Sequence, residues 1–194
     1  MGKKYDGRTA RVVEGAFQSI LDAFELNRPG TKETPKRVGK MFLELLEGEQ
    51  YTNEEIAKMF SKAFDCSNDN LVVEANIPAF SLCEHHVMLM YNMKVSVGYI
   101  PKGKVLGLSK IARIVEMCSR RLQLQEKLGE DIAECIEIAT GSEDVMVYVE
   151  AEHGCMTARG IKKPGTVTKS ASVHGKFKTS PEVRNEFYSI VKEG

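Results

Sequence analysis

The sequence predicts an α+β fold, in which a helical N-terminal arm precedes an antiparallel sheet with helices on one face. Three observations carry that prediction. Apolar residues recur at helical spacing through the first sixty positions. Two runs of period two follow, then a long helical stretch. Two more period-two runs close the order ββααββ before a last helix.

Val12, Val13, Ala16, Phe17, Ile20, Leu21 and Phe24 mark the first amphipathic helix, which Pro29-Gly30 breaks. Thr34 offers an N-cap with Pro35 at the first helical position. Val38, Met41, Phe42, Leu45 and Leu46 form the stripe expected to be buried. Thr52 and Glu55 make a capping box for a short third helix, with Ile56, Met59 and Phe60 inward. Residues 1–65 are therefore read as the arm and residues 66–194 as the main domain.

Leu71-Val72-Val73-Glu74-Ala75-Asn76-Ile77 reads as the first strand. In the second, Met93, Val95, Val97 and Tyr99 alternate with Lys94, Ser96 and Gly98. A helix is expected from Ser109 through Ile111, Ile114, Val115 and Cys118. The next helix carries Leu124, Leu128, Ile132, Ile136 and Ala139 and stops at Gly141. Val145, Val147, Val149 and Ala151 mark a third strand, and a fourth includes Val167 and Val173 up to Phe177. Ser180-Pro181 opens the closing helix, with Val183, Phe187, Ile190 and Val191 inward. Four strands leave two open edges, which predicts edge-to-edge assembly into a ring.

Bulk properties narrow the function. Lys+Arg and Asp+Glu both number 27 in 194 residues, so no global field draws the chain to nucleic acid or membrane. Five cysteines, an odd number, argue against a disulfide framework and for a reducing compartment. No apolar run follows Met1-Gly2-Lys3-Lys4-Tyr5-Asp6, so no signal peptide is expected. No stretch approaches the ~18 apolar residues of a membrane span. A soluble, cytoplasmic protein is the expectation.

The chemistry concentrates in two places. Three of the four histidines stand beside cysteines, in Ser81-Leu82-Cys83-Glu84-His85-His86 and in Glu152-His153-Gly154-Cys155. Thiolate and imidazole together are zinc's preferred ligands. Cys83, His86 and Cys155 would fill three positions and leave the fourth open, as catalytic zinc requires. Adjacent residues of extended chain point apart, which leaves His85 free for proton transfer. His153, two residues before Cys155, is a second proton carrier or a support for the ligands. Cys118 and Cys135, on apolar helix faces, read as core. Further on, Ser109 is placed as an N-cap, with Lys110 and Arg113 on one face of the first turn, where an anion would offset the cations. Arg159 adds positive charge beyond Cys155. Glu126 reads from spacing as a solvated helix charge, and Glu84 is ambiguous.

Ser-Leu-Cys-Glu-His-His, Gly-Leu-Ser-Lys-Ile-Ala-Arg, Gln-Leu-Gln-Glu and Glu-His-Gly-Cys-Met-Thr-Ala-Arg-Gly stand here in one order. That series resembles the type I GTP cyclohydrolases, from Thr34-Pro35-Lys36-Arg37 to Arg184-Asn185-Glu186-Phe187. The resemblance implies a tunnelling fold, with sheets joined into a barrel and two pentamers stacked as a homodecamer. It implies Zn2+ on Cys83, His86 and Cys155, with His85 and His153 moving protons. It implies that Glu126 grips the guanine edge and that Ser109, Lys110, Arg113 and Arg159 hold ribose and triphosphate. Glu84 and Gln125, inside the same motifs, are carried as substrate-binding residues. Val87–Asn92 with Ser96, and Thr168–Ala171, depart from the family's pattern.

The implied reaction is zinc-dependent hydrolysis of GTP at guanine C8, with loss of formate and rearrangement to 7,8-dihydroneopterin triphosphate. The alternative is an oligomeric purine-binding or regulatory protein with a structural zinc and no turnover.

Overall fold

The computed structural model describes residues 5–193, and Met1–Lys4 lie outside them. The chain divides into two compact units, Met1–Gln50 and Tyr51–Gly194.

The first unit pairs α1 (Gly7–Ala23) with α2 (Thr34–Leu45). Asp6 caps α1 by accepting from the backbone N–H groups of Arg8 and Thr9. Gly39 lets the helices close up, because a Cβ there would collide with the Ala10 carbonyl. Two expectations change. Thr34 is not the cap of α2: it lies inside the helix, and Glu33 at the cap position makes no side-chain bond. The physical reason is that Glu33 already has helical torsions (φ −95, ψ −2), so the chain never becomes extended as a side-chain cap requires. The apolar stripes form but stay largely uncovered: Val12, Phe24 and Met41 are 68%, 70% and 42% exposed, and Leu21 alone of α1 is buried.

The second unit opens with α3 (Asn53–Met59), whose capping box is the one the sequence predicts. Thr52 accepts from the Glu55 N–H, and the Glu55 carboxylate accepts from the Thr52 N–H at 3.0 Å. Ile56 is buried, whereas Met59 faces out. There follow β1 (Ala63–Asp65), β2 (Val72–Cys83), β3 (Met88–Tyr99), β4 (Lys104–Leu106), α4 (Leu108–Ser119) and β5 (Leu122–Gln123). The chain then forms α5 (Gln125–Thr140), β6 (Val145–His153), α6 (Gly154–Thr157), β7 (Val167–Val173), α7 (Gly175–Thr179) and α8 (Pro181–Glu193).

The main sheet has the order β5-β2-β3-β6-β7, with β1 and β4 paired separately. All neighbours run antiparallel except β5, two residues long and parallel to the end of β2. So short an element leaves no periodic trace, and four strands are all that the sequence pattern predicts. Register shifts at Glu74/Ile77, Ala79/Ser81 and Tyr91/Lys94 bulge the two long strands and curl the sheet. Asn76 and Asn92 sit at two of these bulges with φ +57 and +49, a conformation that asparagine tolerates.

Val95, Val97, Tyr99, Val147 and Val149 face α4 and α5, whose Ile111, Ile114, Leu128, Ile132 and Ile136 complete one core. The opposite face carries Met146, Phe177 and Phe187. There α8 lays Phe187 against Gly98, where a Cβ would clash with the ring. The closing helix thus covers the face away from α4 and α5. Phe177 is in α7 rather than on the last strand, because Gly175 turns the chain at φ +50 just past β7. Ile190, expected inward, is 40% exposed. Among the described residues no helix is long and apolar enough to cross a membrane.

Candidate active site

Strand order explains how two distant loops meet. β3 lies between β2 and β6, and its first residues pair with both: Met88 opposite Cys83, and Met90 opposite His153. The ends of β2 and β6 are therefore held side by side by one strand.

At the end of β2 the Cys83 carbonyl accepts from the N–H groups of Val87 (2.8 Å) and His86 (3.4 Å), closing a tight turn. That turn presents Glu84, His85 and His86 to the surface. Val87 completes it at φ +54, a strained conformation for a β-branched residue. At the end of β6, α6 carries Cys155 in its single turn. Glu152 anchors the segment beyond: it accepts from Asn92 at 2.8 Å and from the Gly165 N–H at 3.3 Å, while the Tyr91 hydroxyl reaches it at 3.4 Å. Sequence reasoning missed this anchor, although the break in alternation at Tyr91-Asn92 is its signal.

Donor atoms of Cys83, His153 and Cys155 lie within 4.8 Å of one another. His86 stands apart from that group, with its Nε2 2.8 Å from Arg159 Nη1. A guanidinium only donates, so His86 Nε2 accepts. His85 Nδ1 is 3.9 Å from Cys83 Sγ, and the two adjacent imidazoles stand nearly perpendicular with centroids 6.3 Å apart.

Electrostatics favour a cation here. Burial first, and the neighbouring Cys83 second, push the Cys155 thiol above its ordinary pKa. Two thiolates side by side repel, and a divalent ion between them removes that penalty and releases their protons. Two sulfurs with an imidazole are too soft a set for calcium or magnesium and suit zinc. Burial lowers the pKa of His153, and the charge of Glu126 in the first turn of α5 opposes that effect. His153 Nε2 is 2.8 Å from Gln125 Oε1. Glu84 donates its backbone N–H to the Gln123 carbonyl, which sets it beside β5.

Ser109, Lys110 and Arg113 are elsewhere. Their helix α4 follows β4, where the Leu106 N–H donates to the Tyr99 hydroxyl, and Tyr99 pairs with Val72 at the far end of β2 from Cys83. Twelve residues of strand span roughly 35–40 Å. These three residues thus lie at the opposite end of the sheet from the cysteines. Ser109 is also not the N-cap: Gly107 holds that position with no side-chain bond, and the helix starts at Leu108. The Gly107 N–H is tied to the Lys62 carbonyl, and the helix starts two residues earlier than a Ser109 cap implies.

Residues 13–192 match the family model for GTP cyclohydrolase I. The chain is 53% identical to GTP cyclohydrolase 1 of Clostridium botulinum (strain Loch Maree / Type A3) over 188 residues, covering 93% of this chain and 96% of that one. It is 48% identical to GTP cyclohydrolase 1 of Clostridium beijerinckii over 200 residues, covering 99% of this chain and 100% of that one.

Proposed function

The chain belongs to the GTP cyclohydrolase I family, and on that footing we propose that it hydrolyses GTP at guanine C8 with zinc held by Cys83, His86 and Cys155. C8 leaves as formate, and the remainder rearranges to 7,8-dihydroneopterin triphosphate. The observation that carries the zinc reading is the meeting of the Cys83 and Cys155 sulfurs between two loops far apart in sequence. Bound there, zinc supplies Lewis acidity and brings the pKa of water toward neutrality.

The chain's own residues supply the rest. His85, exposed beside Cys83, delivers a proton to N7 as the ring opens. His153 moves a second proton. The Glu126 carboxylate accepts from the two N–H positions on the guanine edge. Glu84, in the turn after Cys83, and Arg159, which reaches that turn through His86, border the ribose and phosphates.

Ser109, Lys110 and Arg113 hold the triphosphate from a second copy of the chain. Support comes from their place at the wrong end of this chain's own sheet, and from the open N–H groups at the start of α4, where no side chain caps the helix. A ring of copies joined at sheet edges, stacked as a decamer with a barrel of strands, brings the two ends of neighbouring sheets together.

A second reading of the ligand set has its own observation. His153, rather than His86, is the imidazole within 4.8 Å of both sulfurs. Zinc content of His86→Ala and His153→Ala separates the two: the variant that loses the metal has lost the ligand. The activity is tested by incubating zinc-loaded protein with GTP and assaying formate together with the fluorescent pterin formed on oxidation. GTP bound without formate would favour a structural zinc instead.

A further inference from the structure

We propose that Gln125 is a positioning residue whose amide holds the His153 imidazole with its proton on Nε2 and Nδ1 bare. For its consequence in turnover the inference rests on the reading above; for the tautomer it rests on geometry alone.

Gln125 is 2% exposed at the start of α5, under the sheet. Its Nε2 lies 3.1 Å from the Val149 carbonyl, 3.1 Å from the Thr168 carbonyl and 3.2 Å from Ser170 Oγ. Its Oε1 lies 2.8 Å from His153 Nε2. The two ends of an amide look alike by shape, so orientation must come from the partners. Here they decide it. Two backbone carbonyls only accept, so the NH2 group must face them. A flipped amide would set an oxygen against two carbonyl oxygens in a buried place. The oxygen therefore faces His153, and an amide oxygen only accepts. His153 must bring the hydrogen, so Nε2 is the protonated nitrogen, and in the neutral ring Nδ1 keeps its lone pair.

The strands on either side fix this further. Val149 and Ser170 are paired partners on β6 and β7, with Thr168 two residues along. Gln125 thus spans the same two strands whose geometry places His153 and Cys155. With its two hydrogens committed to these strands, the side chain has no donor left for a guanine. It was carried from the sequence as a substrate contact; its bonds make it the support of one.

In that tautomer Nε2 is occupied by the Gln125 oxygen, and Nδ1 is the nitrogen left to accept. Supports of this kind typically change affinity or rate by about 10–100-fold when removed.

The test uses zinc-loaded full-length protein labelled with 15N-histidine. Magic-angle-spinning NMR reads the tautomer of each ring, and His153 is identified by difference against His153→Gln. The native protein should show His153 protonated at Nε2; protonation at Nδ1 alone overturns the proposal. Gln125→Met keeps the length and removes both bonding atoms. It should lower kcat about 10–100-fold with KM for GTP nearly unchanged. A raised KM with kcat retained would make Gln125 a substrate contact, and no change in either would make it a bystander; both overturn the proposal. If Gln125→Met does not fold, the native spectrum still decides. A native protein that releases no formate would sink the reading of function while leaving the tautomer to the spectrum.

Discussion

Cys83, the last residue of β2, and Cys155, in the turn beyond β6, present their sulfurs within 4.8 Å of each other and of a His153 nitrogen. The intervening β3 pairs with both strands and brings them there. Cys83→Ser and Cys155→Ser should each lose bound zinc and formate release together while keeping the helical signal in circular dichroism. Retained zinc in either variant would break the link between the pair and the metal.

His85 should separate binding from chemistry. His85→Ala should keep a full complement of zinc and lose turnover by about 10²–10⁴-fold, the usual range for a positioned acid or base. Metal analysis beside formate assay checks it. Loss of zinc would make His85 a ligand.

Ser109, Lys110 and Arg113 start α4 at the end of the sheet remote from the cysteines. Cys83→Ser and Arg113→Ala chains should each be inactive alone. Expressed together they should form mixed assemblies with measurable formate release, because some sites then draw an intact half from each kind of chain. Failure of any mixture to recover activity would place both halves in one chain.

His174 ties α5 to the entry of α7, with Nδ1 2.6 Å from Glu137 and Nε2 2.9 Å from Glu130; Glu143 and Lys178 border the same cleft. Burial alone would lower its pKa, but the bonds to Glu137 and then Glu130 outweigh burial and raise it above the ordinary 6.5. A pKa raised by folding means that the folded state holds the proton more tightly. The stabilisation is therefore complete below about pH 6.5 and fades as pH climbs through the folded value. The melting temperature of the native protein should exceed that of His174→Gln most at pH 5.5–6 and least at pH 9. A gap that widens with pH would contradict the clasp.

Val87 holds φ +54 in the turn that displays the histidines, and 42% of it is exposed. A left-handed β-branched residue costs about 1–2 kcal/mol, and asparagine tolerates that region. Val87→Asn should raise the melting temperature by about 2–4 °C. A lower one would show that the valine's contacts outweigh its strain.

Much of the fold was legible where a residue's own chemistry dictates geometry. Gly141 ends α5 in the left-handed conformation at φ +73, and the Thr52–Glu55 box opens α3. Alternation placed the cores of β3 and β6, whereas Val167, expected in the last strand, is 47% exposed. What failed to show depends on partners distant in sequence. β5 exists because Leu122-Gln123 meets the end of β2. The stripes of α1 and α2 look fit for burial, yet no described residue of their unit covers Val12 or Phe24. The cysteine motifs could be joined from chemistry, whereas the remoteness of Ser109 from them needed strand order. Gln125 was found through its motif, but its work could be read only from four distances.

Zinc X-ray absorption on the metal-loaded chain tests the central claim most directly. Two sulfurs at about 2.3 Å, one imidazole nitrogen at about 2.0–2.1 Å and one light atom from solvent are the expected shell. Fewer than two sulfurs, or four protein ligands with no solvent position, would contradict it.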